Sequence, residues 1–184
     1  MAFTVLYDTC ALYPTTQRNL LIRLARSGLV RARWSAGILE ELDRNLAKRG
    51  VDEAKRVRLF RLMNAAVSDC LVEEYEPLID GLKLPDPGDC HVLAAAIKAD
   101  AQVIVTNNLR DFPEECLKPS GIEARSPDDF VLDLIDINDR LVHACVQQIV
   151  DERRNPPESF GDALGQLERS GLIEAAAVLR LGQY

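Results

Sequence analysis

The chain has 184 residues, 47% of them hydrophobic, and a formal net charge of −7, which suits one domain with room for an appendage. It has no run of 18 apolar residues and no basic stretch before Asp8, which argues against a membrane-spanning helix and against a signal peptide. Five cysteines (Cys10, Cys70, Cys90, Cys116, Cys145) show no CxxC spacing, so neither a zinc site nor a disulfide framework is indicated, and a reducing cytoplasm fits best. Charge is unevenly spread. Residues 1–62 hold 12 Lys and Arg against 6 Asp and Glu, net +6, and the remainder hold 10 against 23, net −13. The split suggests a basic face able to attract a polyanion on an otherwise acidic chain.

In chain order, Phe3 to Tyr7 reads as a buried strand ending at Asp8. Ligands of open α/β sheets collect beyond the carboxyl ends of strands, which makes Asp8 a candidate site residue. Thr15 to Ser27 follow a helical period, with Leu20, Leu21, Leu24 and Ala25 on one side and Arg18, Arg23 and Arg26 on the others; Gly28 stops it. Leu29 to Trp34 form a short extended piece. Ser35 caps a helix from Ala36 to about Lys48 whose stripe is Ile38, Leu39, Leu42 and Leu46. Glu41 lies at the edge of that stripe and Glu40 points outward. Asp52 caps a third helix, to about Ala66. Arg44, Lys48 and Arg49 join Lys55, Arg56, Arg58 and Arg61 in a basic helical hairpin.

Cys70 to Val72 is a short strand, followed by an acidic irregular stretch. Then comes Pro85-Asp86-Pro87-Gly88-Asp89-Cys90-His91. The helix it opens is apolar almost all round, from Val92 to Ile97, and should be buried. Asp89 is placed to cap it or to sit in its first turn. Ala101 to Thr106 is another buried strand, leading into Asn107, Asn108, Leu109, Arg110 and Asp111. Gly121 to Arg125 is the last short strand. Strands alternating with helices imply a central parallel sheet flanked by helices, an α/β fold over residues 1–125. Ser126-Pro127-Asp128-Asp129 then starts a helix expected to run to about Glu152, longer than most. Asn155-Pro156-Pro157 breaks the chain, and two more helical segments follow. Residues 126–184 read as a helical C-terminal extension.

Asp8, Glu41, Asp86, Asp89, Asn108 and Asp111 would meet at one sheet edge if the strands are parallel neighbours. Clustered carboxylates repel one another unless a cation sits among them. Oxygen ligands suit Mg²⁺ or Mn²⁺. Such ions activate water and stabilise the charge of an in-line phosphodiester displacement. His91 and His143 are the only histidines, no nucleophile–base order stands out, and His91 reads as a local hydrogen-bonding residue. A Gly-rich phosphate loop is missing, and Asp8-Thr9-Cys10 lacks the Asp-x-Asp of haloacid-dehalogenase-like phosphatases. Nor does the chain show the paired acids and later Lys of a response-regulator receiver.

Four stretches, in order, resemble a PIN-domain ribonuclease, and among those the VapC-type toxins of bacterial toxin–antitoxin modules. They are Val5 to Thr9, Ser35 with Ile38 to Leu42, Asp86 to Ala96, and Val103 to Phe112. The resemblance implies a PIN-like three-layer fold and a Mg²⁺- or Mn²⁺-dependent endoribonuclease whose substrate is RNA and whose inhibitor is a cognate antitoxin. It implies catalytic roles for Asp8, Glu41 and Asp89, and for Asn108, where the family often has Asp. Asp8, Asp89, Asp86 and Glu41 would hold the metal, with Thr9 and Asp111 in support. Arg44, Lys48, Arg56, Arg58 and Arg61 are the expected RNA-binding residues. A homodimer and a non-catalytic PIN-type RNA- or protein-binding module both stay open, the latter because of Asn108.

Overall fold

A computed structural model describes residues 3–182. Five parallel strands form the central sheet: β1 (Phe3–Tyr7), β2 (Val30–Ser35), β3 (Leu71–Val72), β4 (Val103–Val105) and β5 (Glu123–Arg125). Their spatial order is β3-β2-β1-β4-β5. The chain therefore builds outward from β1 in one direction, returns, and builds outward in the other. β1 and β4 flank the place where the strand order reverses, the usual ligand crevice of an open parallel sheet. Val5 pairs with Ala32 on one side and with Val103 on the other. Val5, Leu6 and Tyr7 are wholly buried, as expected of a strand covered on both faces.

The connecting helices are α1 (Thr9–Leu12), α2 (Thr15–Arg26), α3 (Ala36–Lys48), α4 (Glu53–Ala66), α5 (Cys90–Lys98) and α6 (Glu114–Leu117). α5 is buried along Val92 to Ala96 and packs on β1, β2 and β4, as its apolar circumference requires. Ser35 caps α3 by accepting from the Ile38 amide, and Asp52 caps α4 through the Ala54 and Lys55 amides.

Two readings of polar residues change. Arg18 and Arg23 do not solvate α2; both are buried. Arg18 donates to the carbonyls of Leu12 (2.7 Å) and Tyr13 (3.1 Å), tying off the end of α1, and burial pulls its guanidinium down to about 10. Arg23 donates to Gln148 at 3.1 Å and pairs with Glu152. Periodicity marks the apolar face of a helix, but polar positions beside it are buried when a later segment packs over them.

That later segment is α7 (Pro127–Glu152), α8 (Phe160–Arg169) and α9 (Ile173–Leu181). α7 lies against α2, and its Phe130 meets two rings of β1, Tyr7 edge-on at 6.0 Å and Phe3 at 6.5 Å. α7 spans the residues expected of it but is kinked within. Asn138 leaves helical geometry (φ −159°, ψ 83°), and its side chain accepts from the Leu141 amide at 3.1 Å. It thus acts as an internal cap and starts a second arm, because a short amide side chain competes well with the helical carbonyl. Asp128 also departs from a purely local role. Its carboxylate accepts from the amides of Glu174 (3.0 Å) and Ala175 (2.9 Å), capping α9 from α7. Among the described residues, no helix is long and apolar enough to cross a membrane.

Candidate active site

β1 ends at Tyr7 and β4 at Val105, side by side in register. The next residue of each, Asp8 and Thr106, therefore faces the same crevice. Asp8 is 4% exposed, and both its carboxylate oxygens are engaged. The Thr9 amide donates to Oδ1 at 2.6 Å, and the Thr106 hydroxyl donates to Oδ2 at 2.8 Å. The Cys10 thiol donates to the same Oδ2 at 3.2 Å. Thr106 Oγ1 also accepts from the Asn108 amide at 3.0 Å, and Cys10 Sγ accepts from the Asn107 amide at 3.1 Å. Burial, and then the Asp8 charge, push the Cys10 thiol up to about 12, so it stays protonated and acts as a donor.

Glu41 reaches the site from the second turn of α3 and is half-exposed, whereas Glu40 is exposed. The Thr9 hydroxyl lies 3.1 Å from Glu41 Oε2 and 3.2 Å from the Ile38 carbonyl, so one proton is shared between two acceptors. His91 Nε2 lies 3.9 Å from Glu41 Oε2. Its Nδ1 is buried without a hydrogen-bond partner among the described residues, so the local hydrogen-bonding role expected of His91 is not filled.

The acidic turn divides its two carboxylates between tasks. Asp86 is the one that caps: its Oδ1 accepts from the Gly88 amide at 2.8 Å. Asp89 occupies the N-cap position of α5 yet makes no capping hydrogen bond, which corrects the cap expected of it. Its backbone is already helical (φ −90°, ψ −5°), outside the extended conformation from which a cap side chain folds back. Asp89 is instead left among like charges. Burial first, then Asp8, Asp86, Asp111 and Glu41, raise its carboxyl from 3.8 to about 6. The other four predicted acids are thus near enough to act on Asp89, although no three His, Cys, Asp or Glu side chains among the described residues are drawn into ligating geometry. The donor set fits a hard divalent cation: all oxygen, negatively charged and mutually repelling.

Asn108, exposed just beyond β4, lines a cavity of about 720 Å³ together with Glu41, Thr9 and Lys48. Of the expected RNA-binding residues, Lys48 is the one on this cavity. Arg44 and Arg56 line a different groove, between α3 and α4. Arg56 is engaged with Asp43 at 2.7 Å and with the Val51 carbonyl. Arg58 and Arg61 lie on α4, away from the cavity lining. Sequence reasoning overlooked Thr106 and Cys10 as partners of Asp8. Thr106 was visible only as the last residue of a buried strand, and a hydroxyl at that position was the signal available.

Asp8 and Thr106 thus stand at the carboxyl ends of the two central strands, in the usual ligand crevice of an open parallel sheet. The model of the PIN domain family matches residues 4–110, more than half of the chain, and the chain belongs to that family. A second model, described as the VapC50 C-terminal domain, matches residues 127–181, which are α7 to α9. The chain is 47% identical over 81 residues to a Mycobacterium tuberculosis protein described as "Putative ribonuclease VapC50". The match covers 42% of this chain and 48% of that protein, so the chain spans about half the length of this curated relative. No solved structure matches the chain.

Proposed function

We propose that the protein is a divalent-metal-dependent endoribonuclease that hydrolyses RNA phosphodiester bonds, and that it acts in the cytoplasm as a toxin held inactive by a cognate antitoxin. The observation that carries the chemistry is Asp89, raised to about 6 by the company of Asp8, Asp86, Asp111 and Glu41. An apolar-mounted carboxylate without a cap or a cationic partner is suited to a cation. Asp8 and Asp89 would hold Mg²⁺ or Mn²⁺, with Asp86 and Glu41 beside them. When bound, the ion supplies Lewis acidity toward the phosphate and lowers the pKa of water.

The chain's own residues do the rest. Thr106, Cys10 and the Thr9 amide fix both oxygens of Asp8. Thr9 ties Glu41 to the same corner, leaving Glu41 turned to the cavity as a proton acceptor for the attacking water. Asn108, an amide in place of a carboxylate on the same cavity, would donate to a phosphate oxygen. The resemblance to a ribonuclease and to the VapC50 C-terminal domain supports the RNA substrate and the toxin role. On this reading residues 1–125 carry the chemistry and 126–184 form an extension that braces them.

Purified protein should cleave RNA with Mg²⁺ or Mn²⁺ and lose this in EDTA and with Asp8→Asn. Induced expression should arrest growth, relieved by Asp8→Asn or by the antitoxin. The absence of a ready-made three-ligand cluster among the described residues favours one other reading, a non-catalytic RNA- or protein-binding module. RNA binding that is indifferent to metal, without cleavage, would establish that module instead.

A further inference from the structure

The cavity beside the acids has a second wall that the proposed reaction does not use. Tyr13, at the C-terminal end of α1, is half-buried and lines it. Arg49, the residue that ends α3, holds its guanidinium carbon 5.9 Å from the centroid of the Tyr13 ring. Lys48, one residue earlier, lines the same cavity, as do Asn45 and Asn107. Lys48 and Arg49 are exposed, and neither enters an ion pair among the described residues, whereas Arg23, Arg33, Arg56 and Arg153 all do.

We propose that this wall is a nucleotide subsite: the base of a single-stranded RNA residue next to the scissile phosphate inserts between Tyr13 and Arg49, and its phosphate rests on Lys48. The proposal builds on the ribonuclease reading and adds where the chain grips its substrate. The dimensions suit it. Two stacked contacts of about 3.5 Å each need a gap of about 7 Å. The guanidinium carbon now lies 5.9 Å from the ring centroid, about 1 Å nearer than that. The exposed Arg49 side chain supplies the difference by a small rotation, while Tyr13 stays packed. Aromatic rings accept any base through its π-face, and a guanidinium plane covers the opposite side.

Charge points the same way. Glu41 and the acids behind it repel a phosphate, so a polyanion needs counter-charge at the mouth, and Lys48 and Arg49 are the unpaired cations of this cavity. The volume of about 720 Å³ lies within the range of ligand pockets, roughly 300–1,000 Å³. The amides of Asn45 and Asn107 each bring a donor and an acceptor, the groups that distinguish base edges. The Asn107 backbone N–H is held by its hydrogen bond to Cys10, which anchors the chain from which that side chain projects.

The test uses the full chain carrying Asp8→Asn, in EDTA, titrated into a fluorescently labelled single-stranded RNA of about ten nucleotides, a length within the usual ssRNA site size. Tyr13→Leu should weaken binding about tenfold, with Tyr13→Phe close to the parent. Lys48→Gln should lower the salt dependence, its slope falling by about 0.7 for one lost phosphate contact on a single strand, whereas Arg49→Gln should weaken binding with that slope little changed. Thermal melts confirm that each variant is folded, and Arg49→Gln alone, at an exposed position, guards against a packing defect at Tyr13. Parent-like affinity in Tyr13→Leu overturns the subsite, as does Tyr13→Phe binding as weakly as Tyr13→Leu. Polyglutamate of equal charge that displaces the RNA equally from both would also overturn it, reducing the wall to a cationic surface. If none of the proteins binds the RNA, the ribonuclease reading falls and the subsite with it.

Discussion

Replacing Asp89 by Asn removes a charge that the native fold tolerates poorly. The Asp89 carboxyl is raised from 3.8 to about 6, by burial and by four neighbouring acids. Left unscreened, a displacement of that size disfavours the ionised form by about 3 kcal/mol. The side chain is only half-buried, and solvent screening reduces this to about 1 kcal/mol. In EDTA at about pH 7.5, D89N should therefore be more stable than the parent by about 1 kcal/mol, a Tm roughly 2–4 °C higher for a chain of this size. The direction with pH follows from linkage. The folded state binds this proton more tightly than the unfolded chain, so the penalty is complete above about 6, shrinks between there and 3.8, and vanishes below. The advantage of D89N should accordingly be smaller at about pH 5 than at about pH 7.5. Added Mg²⁺ should reverse the order, because a cation offsets the repulsion in the parent and finds fewer ligands in the variant. Calorimetric scans at the two pH values, with EDTA and with Mg²⁺, read every part of this. A D89N protein less stable than the parent in EDTA near neutral pH would refute the reasoning, since the carboxylate would then be held by donors rather than opposed by neighbours.

Further outcomes concern the elements around that carboxylate. Thr106→Val leaves Asp8 Oδ2 without its hydroxyl donor and frees the Asn108 amide, so kcat should fall about tenfold with KM little changed. Thr106→Ser should restore most of it, and equal loss in both variants would point to packing instead. Phe130→Ala, at the contact of α7 with Tyr7 and Phe3, should cost about 3–5 kcal/mol in urea unfolding. A cost below about 1.5 kcal/mol would mean that α7 is loosely seated. Arg56→Gln should leave the salt dependence of RNA binding unchanged because Asp43 and the Val51 carbonyl already engage it. Lys48→Gln should lower that slope by about 0.7.

Several features were legible because their causes are local. The strand Phe3 to Tyr7 is announced by its β-branched and aromatic run, the buried α5 by its unbroken apolar circumference, and α3 and α4 by Ser35 and Asp52. The acids were legible as a set because Asp8 and Asp111 follow strands, Asp86 and Asp89 open a helix, and Glu41 lies at the edge of the apolar stripe of α3. The Asn138 break was less visible: an Asn within a helical period is common, and what distinguishes a cap is whether the chain turns there, which depends on where α8 and α9 dock.

The sequence by itself determined the elements and the chemistry they carry: alternating strands and helices, hard oxygen donors at strand ends, and a basic N-terminal third. Tertiary structure alone decided which ends meet. The order β3-β2-β1-β4-β5 places Asp8 beside Thr106, across 98 positions of chain. Nothing in either segment encodes that adjacency, because strand pairing is fixed by the packing of both sheet faces at once. The same non-local packing buried Arg23 against α7, paired Arg56 with Asp43, and put Lys48 and Arg49 on one cavity with Glu41. It also left Asp89 uncapped, because where α5 docks sets the backbone angle of the residue before it, and that angle decides whether a carboxylate can fold back to cap the helix or stands free among its neighbours.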